Sequence, residues 1–361
     1  MSDLRYLQEG RLRRSARTRR RRRRLRLQAF AVATAVLAIA AAAFVERRAL
    51  GLDGDSSAVS ATAATHAGGG HARGDASANA HPAALVAVDS DAPTGYGVTL
   101  APATVRQHIV NDLKRTPVDT QQLTSGLLFD VRSGAVLWQR RAEQPLPIAS
   151  LTKMMTALLV VAHSQPSDRV LITKQAVDFT GEGTGLLPRG KRVPELALLY
   201  ALLLPSANDA AIALAQHVGG TQANFIAMMN ARATAMGLTC THYASVSGVI
   251  NRDNHSCAQN LAVIAYSVLH NPLLAQIVAS PSAVVKFPIK GGKLWLYNNN
   301  PLLTGGYQGT DGVKTGWTED AGMCLVATVR RDDRWLGVVL LHSANWRTQA
   351  EALLNAGFAS T

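Results

Sequence analysis

Apolar residues after position 120 fall into short runs and helically spaced stretches, and the changes between them predict the elements. Gly126 to Trp138 (GLLFDVRSGAVLW) holds two short apolar runs around Ser133-Gly134, a hairpin signal. Ser150 to Ala162 (SLTKMMTALLVVA) is apolar-rich and follows Pro147, which predicts a helix with Ser150 near its start. Pro194 to Leu204 and Asn208 to Val218 read as helices separated by Pro205; Gln222 to Met236 and Cys257 to His270 also carry helical spacing. The last third then changes character. Val284 to Ile289, Leu294 to Tyr297, Met323 to Val329 and Trp335 to Leu341 read as strands, and Trp346 to Phe358 as a closing helix. Strands at both ends of a helical middle predict an α/β (α+β) protein, an antiparallel sheet packed by helices with a helical subdomain.

The first hundred residues follow other rules. Ala29 to Val45 (AFAVATAVLAIAAAAFV) is apolar except for Thr34, and a block of arginines precedes it. A basic block before an apolar run reads as an export signal whose arginines stay in the cytoplasm. Seventeen residues lie at the short end for a spanning helix and beyond a normal signal-peptide core, so an uncleaved single-pass anchor is favoured. Cleavage near Ala40–Ala43, giving a secreted protein, is the alternative. The stretch from about 49 to 105 is rich in Ala, Gly, Ser, Asp, His and Thr, with GGG at 68–70, and reads as a flexible tether. The expected organisation is a basic cytoplasmic tail (1–28), a membrane segment (29–45), a linker (46–109) and an extracytoplasmic catalytic domain (110–361).

Charge supports this division. The chain of 361 residues has a formal net charge of +13. Twelve arginines against Asp3 and Glu9 place +10 of it within residues 1–28, so the body is close to neutral. A neutral body has no basic face to follow a phosphate backbone, which excludes nucleic acid as a partner. Three cysteines, Cys240, Cys257 and Cys324, do not make a disulfide framework. Whether Cys240 and Cys257 pair stays open, and Cys324 in MCLVATV reads as a buried hydrophobe. No CxxC or HExxH spacing is present, and His66, His71 and His81 read as linker residues, so no metal or cofactor is expected.

Three short motifs carry the chemistry. Ser150-Leu151-Thr152-Lys153 puts a hydroxyl and an amine on one face of a helix start. Serine needs a neighbouring base, and a lysine can serve only when neutral, which requires burial or a nearby positive charge. Ser206-Ala207-Asn208 is a polar break after the apolar run LALLYALLLP; alone, it reads as a helix cap. Lys314-Thr315-Gly316 lies in DGVKTGW before a predicted strand, where the glycines permit close approach of a ligand.

The order SxxK, SxN, KTG is that of penicillin-binding proteins. The chain resembles the low-molecular-mass D-alanyl-D-alanine carboxypeptidases, serine peptidases that also bind penicillin. Longer stretches carry the likeness: IASLTKMMTALL at 148–159, LLLPSANDAAIALAQHVGG at 202–220, FIAMMNARATAMGL at 225–238 and DGVKTGWTEDAGMCLVATVRR at 311–331. It covers roughly residues 120–361 and implies a DD-peptidase/β-lactamase-like fold. It implies that Ser150 is the nucleophile, Lys153 its base with Lys314 as the positive neighbour, and Ser206 a proton relay to the leaving amine. Asn208 would hold the substrate amide, Lys314 and Thr315 its carboxylate. The backbone N–H groups of Ser150 and of Trp317, which follows Gly316, would form the oxyanion hole. The implied substrate is the stem peptide of peptidoglycan, with β-lactam antibiotics as covalent inhibitors.

Two departures stand out. The carboxylate-gripping arginine of the family does not map uniquely among Arg330, Arg331, Arg334 and Arg347. Tyr243 to Asn254 (YASVSGVINRDN) departs from the commoner Asn-Pro-x-Gly form. The chain ends at Thr361 just after the closing helix, so anchoring is expected from the N-terminal segment rather than from a C-terminal one. Rival readings are a DD-transpeptidase or endopeptidase with the same acyl-enzyme, a β-lactamase, and an inactive wall-binding module. Between Ser206 and Lys314 the only acids are Asp209, Asp253 and Asp311, with no glutamate for fast deacylation, which speaks against a β-lactamase.

Overall fold

The computed structural model describes residues 111–114 and 120–360, apart from 180, 182 and 250–252. The expected tail, membrane segment and linker lie outside these residues.

A five-stranded antiparallel sheet forms the frame. Its strands are β1 (Ser125–Asp130), β2 (Val136–Arg140), β9 (Thr310–Thr318), β10 (Gly322–Arg331) and β11 (Arg334–Ser343), in spatial order β2-β1-β11-β10-β9. The first and last strands of the sheet thus meet where Ser125 pairs Leu341 and Asp130 pairs Leu336. Successive residues along a strand point to opposite faces and so reach two different cores. From β11, Val339 and Leu341 join one core and Leu336, Val338 and Leu340 the other; from β10, Val326 parts from Leu325, Ala327 and Val329 in the same way. With both faces covered, the strands read as continuous apolar runs.

Among the described residues eight α-helices are inserted between β2 and β9, and all but the last pack into the larger core; the last places Leu302 in the smaller one. These are α1 (Lys153–His163), α2 (Lys174–Val177), α3 (Glu195–Leu203), α4 (Asn208–Gly219), α5 (Gln222–Ala235), α6 (Ala258–His270), α7 (Pro272–Ala279) and α8 (Pro301–Thr304). The closing helix α9 (Trp346–Ala359) covers the opposite face with Ala350, Leu353 and Leu354. Three short ribbons complete the fold: β3 (Leu146–Pro147) with β6 (His255–Ser256), β4 (Arg169–Leu171) with β5 (Arg192–Pro194), and β7 (Ser282–Lys286) with β8 (Lys293–Tyr297). The third was predicted as two strands, yet it pairs only with itself. Helix α7 was not predicted; Asn271 caps it through Leu274 N–H, with Pro272 at its first turn.

Among the described residues no single helix is long and apolar enough to cross a membrane; α6 and α7 pass together only as a pair bent by 103°. Cys240 and Cys257 form a disulfide with Cα atoms 5.8 Å apart, and Cys324 is free and buried. The pairing left open by the sequence is made.

Candidate active site

Ser150 lies half-buried in a 3-10 turn, Ala149–Thr152, that passes directly into α1 at Lys153. Sequence placed Ser150 at a helix start; the tighter turn is the refinement. Ala149 enters with φ of +47°, a left-handed conformation that a Cβ disfavours by about 1–2 kcal/mol. The turn is held in return by Thr152 Oγ1, which donates to Ala149 O (2.8 Å) and accepts from Asn254 Nδ2 (2.9 Å).

Lys153 is 0% exposed, and its amine meets three oxygens: Ser150 Oγ at 2.7 Å, Asn208 Oδ1 at 2.7 Å and the Ser247 carbonyl at 2.8 Å. Two of these can only accept. An amide oxygen and a backbone carbonyl therefore take two N–H bonds from Nζ, leaving its remaining position aimed at Ser150 Oγ. In the neutral amine that position is the lone pair. The arrangement can take a proton from the serine hydroxyl.

Ser206 and Asn208 come to this seam from the break between α3 and α4. Ser206 has φ of +65°, a second non-glycine residue in the left-handed region, and its buried Oγ has no hydrogen-bond partner among the described residues. Strained backbone and an orphan hydroxyl both concentrate at functional sites. Asn208 is the first residue of α4, and its Oδ1 faces Lys153, so its Nδ2 is the group left for a ligand. Asp209, in the first turn of α4, accepts from Ala210 N–H (2.8 Å) and holds a neighbouring loop through Thr184 N–H (3.0 Å), Thr184 Oγ1 (2.8 Å) and Gly185 N–H (3.0 Å).

The third motif precedes the predicted strand, β10, and itself lies inside edge strand β9, which the sequence did not predict. Lys314 is buried and donates to Thr315 O (2.9 Å), Thr315 is buried beside it, and Trp317 is exposed. Gly316 was expected to admit a ligand. Its closeness is instead to the nucleophile's own backbone: a Cβ there would lie 2.8 Å from Ser150 N and 3.0 Å from Ile148 O. The eight predicted residues therefore divide between two walls, Ser150, Lys153, Ser206 and Asn208 on the helical side and Lys314, Thr315, Gly316 and Trp317 on the strand.

The loop that departs from the family form had no role assigned from sequence, yet it joins the site. Besides the Ser247 carbonyl, it supplies Val246 O to Thr156 Oγ1 (2.7 Å), and Ser245 Oγ accepts from the N–H groups of Ser247 (3.2 Å) and Gly248 (3.0 Å). Gly248 has φ of +80°, and a Cβ there would reach within 1.8 Å of Ala149 O. The available signal was the Ser-x-Ser-Gly string at 245–248.

None of the four candidate arginines points to the motifs by its contacts. Arg330 pairs with Asp311 (2.9 Å) and covers the Trp335 ring, Arg331 donates to Gln308 O, Arg334 to Phe358 O and Ser360 O, and Arg347 to Glu351 (2.8 Å). Cys324, opposite Gly316 on β10, is no rival nucleophile: burial pushes its thiol up to about 12, only partly offset by a backbone hydrogen bond at His342.

Residues 114–345 match the D-alanyl-D-alanine carboxypeptidase family (peptidase S11). The chain is 29% identical over 239 residues to D-alanyl-D-alanine carboxypeptidase DacF of Bacillus subtilis, covering 65% of this chain and 60% of that one. It is 35% identical over 253 residues to the D-alanyl-D-alanine carboxypeptidase of Streptomyces sp. strain K15, covering 65% and 86%. A solved structure of a mutant Streptomyces K15 DD-transpeptidase superposes with a TM-score of 0.63 at 31% identity, covering 66% of this chain and 98% of that one. The chain thus spans well under two thirds of the Bacillus relative and nearly all of the solved one. A match over more than half its length, on the residues that build this cleft, places the chain in the D-alanyl-D-alanine carboxypeptidase family.

Proposed function

We propose that this protein is a serine DD-peptidase that removes the terminal D-alanine from peptidoglycan stem peptides through an acyl-enzyme on Ser150. The observation that carries the reading is the Lys153 amine, 2.7 Å from Ser150 Oγ with two obligate acceptors fixing its N–H groups. Lys153 Nζ takes the hydroxyl proton as Ser150 Oγ attacks the carbonyl of the penultimate D-alanine. The backbone N–H groups of Ser150 and Trp317 hold the oxyanion. Collapse breaks the C–N bond; the proton passes from Lys153 through Ser206 Oγ to the departing amine, giving that orphan hydroxyl a task. Lys314 and Thr315 hold the terminal carboxylate, and Asn208 Nδ2 donates to a substrate carbonyl. Water, deprotonated by Lys153, then cleaves the ester. Neither metal nor cofactor enters these steps.

Penicillin mimics the substrate and is expected to acylate Ser150 and leave slowly. The test is incubation with a diacetylated Lys-D-Ala-D-Ala peptide and, separately, with penicillin. Released D-alanine and one adduct mapped to Ser150 are expected; an adduct elsewhere, or rapid turnover of a chromogenic cephalosporin without one, overturns the assignment. The DD-transpeptidase name of the Streptomyces K15 structure favours a second reading, acyl transfer to an amine. An added amino-acid acceptor that diverts product from acid to amide would establish it. The basic block and apolar run at 29–45 support an exported, single-pass membrane protein with its catalytic domain outside the cytoplasm; a secreted form is the alternative.

A further inference from the structure

Asp168, Glu195 and His217 converge away from the motif residues, where the β4–β5 ribbon meets α3 and the end of α4. Their three candidate ligand atoms lie within 4.8 Å of one another. His217 Nε2 stands 3.6 Å from Asp168 Oδ2 and 3.6 Å from Glu195 Oε2. Both separations are too long for hydrogen bonds. They are close to the spacing of about 3.3 Å between two ligands sharing a tetrahedral ion with bonds near 2.0–2.1 Å.

Glu195 supplies the independent observation. Its side chain is 0% exposed, is directed at the cluster, and neither carboxylate oxygen accepts a hydrogen bond from a described residue. The nearby Ser164 hydroxyl donates to Val160 O (2.6 Å) instead. A bare buried carboxylate is expensive unless a cation meets it. The surroundings also orient the ligands: Gln165 N–H donates to Asp168 Oδ2 (3.1 Å), and Glu195 N–H donates to Asp168 O (2.9 Å). His217 stands in the last turn of α4, the helix end that favours positive charge. Asp168 and His217 are partly exposed, leaving a solvent-facing position for a water ligand.

We infer that Asp168, Glu195 and His217 form a structural site for a divalent first-row transition ion of the Zn²⁺ type, one nitrogen and two carboxylates completed by water. The ion fastens the β4–β5 ribbon to the ends of α3 and α4. The residues lie too far apart in sequence to form a spacing motif, so motif reading could not find them.

The test uses the full chain, stripped with chelator and titrated with ZnCl₂, beside Glu195→Gln and His217→Ala. Ion content by mass spectrometry and melting temperature are read together. Wild type is expected to hold one ion more per chain than either variant and to gain several degrees that the variants do not. Equal content in all three, or an equal zinc-dependent shift, overturns the site. Should His217→Ala fail to fold, the near-isosteric Glu195→Gln decides alone. Penicillin labelling of Ser150 by the stripped protein, measured in parallel, tests the proposed activity separately, because the ion lies outside the reacting atoms.

Discussion

Lys153 and Glu195 are both sealed from solvent, and the protein treats them in opposite ways. The amine lies in a cage of three oxygens drawn from three segments, the Ser150 turn, the start of α4 and the 245–248 loop. The carboxylate has no hydrogen bond from any described residue, and burial pushes it up to about 7 against a weaker lowering by Ser164, with Asp168 adding to the rise. A caged group is oriented for a reaction; a bare one marks a contact still to be made. Both flank the same helix, α4, one seam at its first residue and the other at its last turn.

The sharpest way to break this contrast is Lys153→Ala. It removes the proton acceptor and leaves Asn208 Oδ1 and the Ser247 carbonyl facing a cavity. Acylation by penicillin, followed by stopped-flow, should slow by about 10²–10⁴-fold; unchanged speed would remove Lys153 from the chemistry. Next is Gly248→Ala, which attacks the cage through its loop. A Cβ 1.8 Å from Ala149 O at φ of +80° cannot be accommodated without moving the Ser150 turn. A stability loss of at least about 2 kcal/mol by urea unfolding is expected, with slower acylation in whatever folds.

The opposite sign is expected at the bare group. In chelator at pH 8, Glu195→Gln should raise stability by about 1–2 kcal/mol, since it removes a buried charge without a partner. A loss of that size would mean the carboxylate is already compensated. The smallest effect belongs to Cys324. A buried thiol raised from 9.0 to about 12 favours folding undiminished below pH 9 and loses that contribution as pH climbs toward 12. Wild type should therefore lose stability relative to Cys324→Ala between pH 8 and pH 10, and iodoacetamide should leave the native thiol unmodified at neutral pH.

What could be read in advance follows the same division. Side-chain chemistry in short strings was legible: Ser150 and Lys153 one turn apart, Ser206 and Asn208 at a helix break, Lys314 and Thr315 between two glycines. Short apolar runs gave four strands of the large sheet but not β9, and helical spacing gave most helices. Partnership was not legible. Nothing in a pattern says that β7 and β8 pair with each other and not with the large sheet. Nor can a string reveal that Lys153 takes a bond to the Ser247 carbonyl, because every residue carries that group. Gly316 was singled out for close approach, and the string could not show that Ser150 N is one of its neighbours. The Asp168–Glu195–His217 cluster was invisible because three connections had to fold before it existed.

The Cys240–Cys257 bridge encircles the very loop that delivers Ser247 to the amine. Closing a ring of this size removes about 3 kcal/mol of unfolded-chain entropy. The two ends of the stretch that supplies the Ser247 carbonyl are thereby joined by one covalent link. In a reducing medium that link opens, and the stretch between residues 240 and 257 is held by hydrogen bonds and packing.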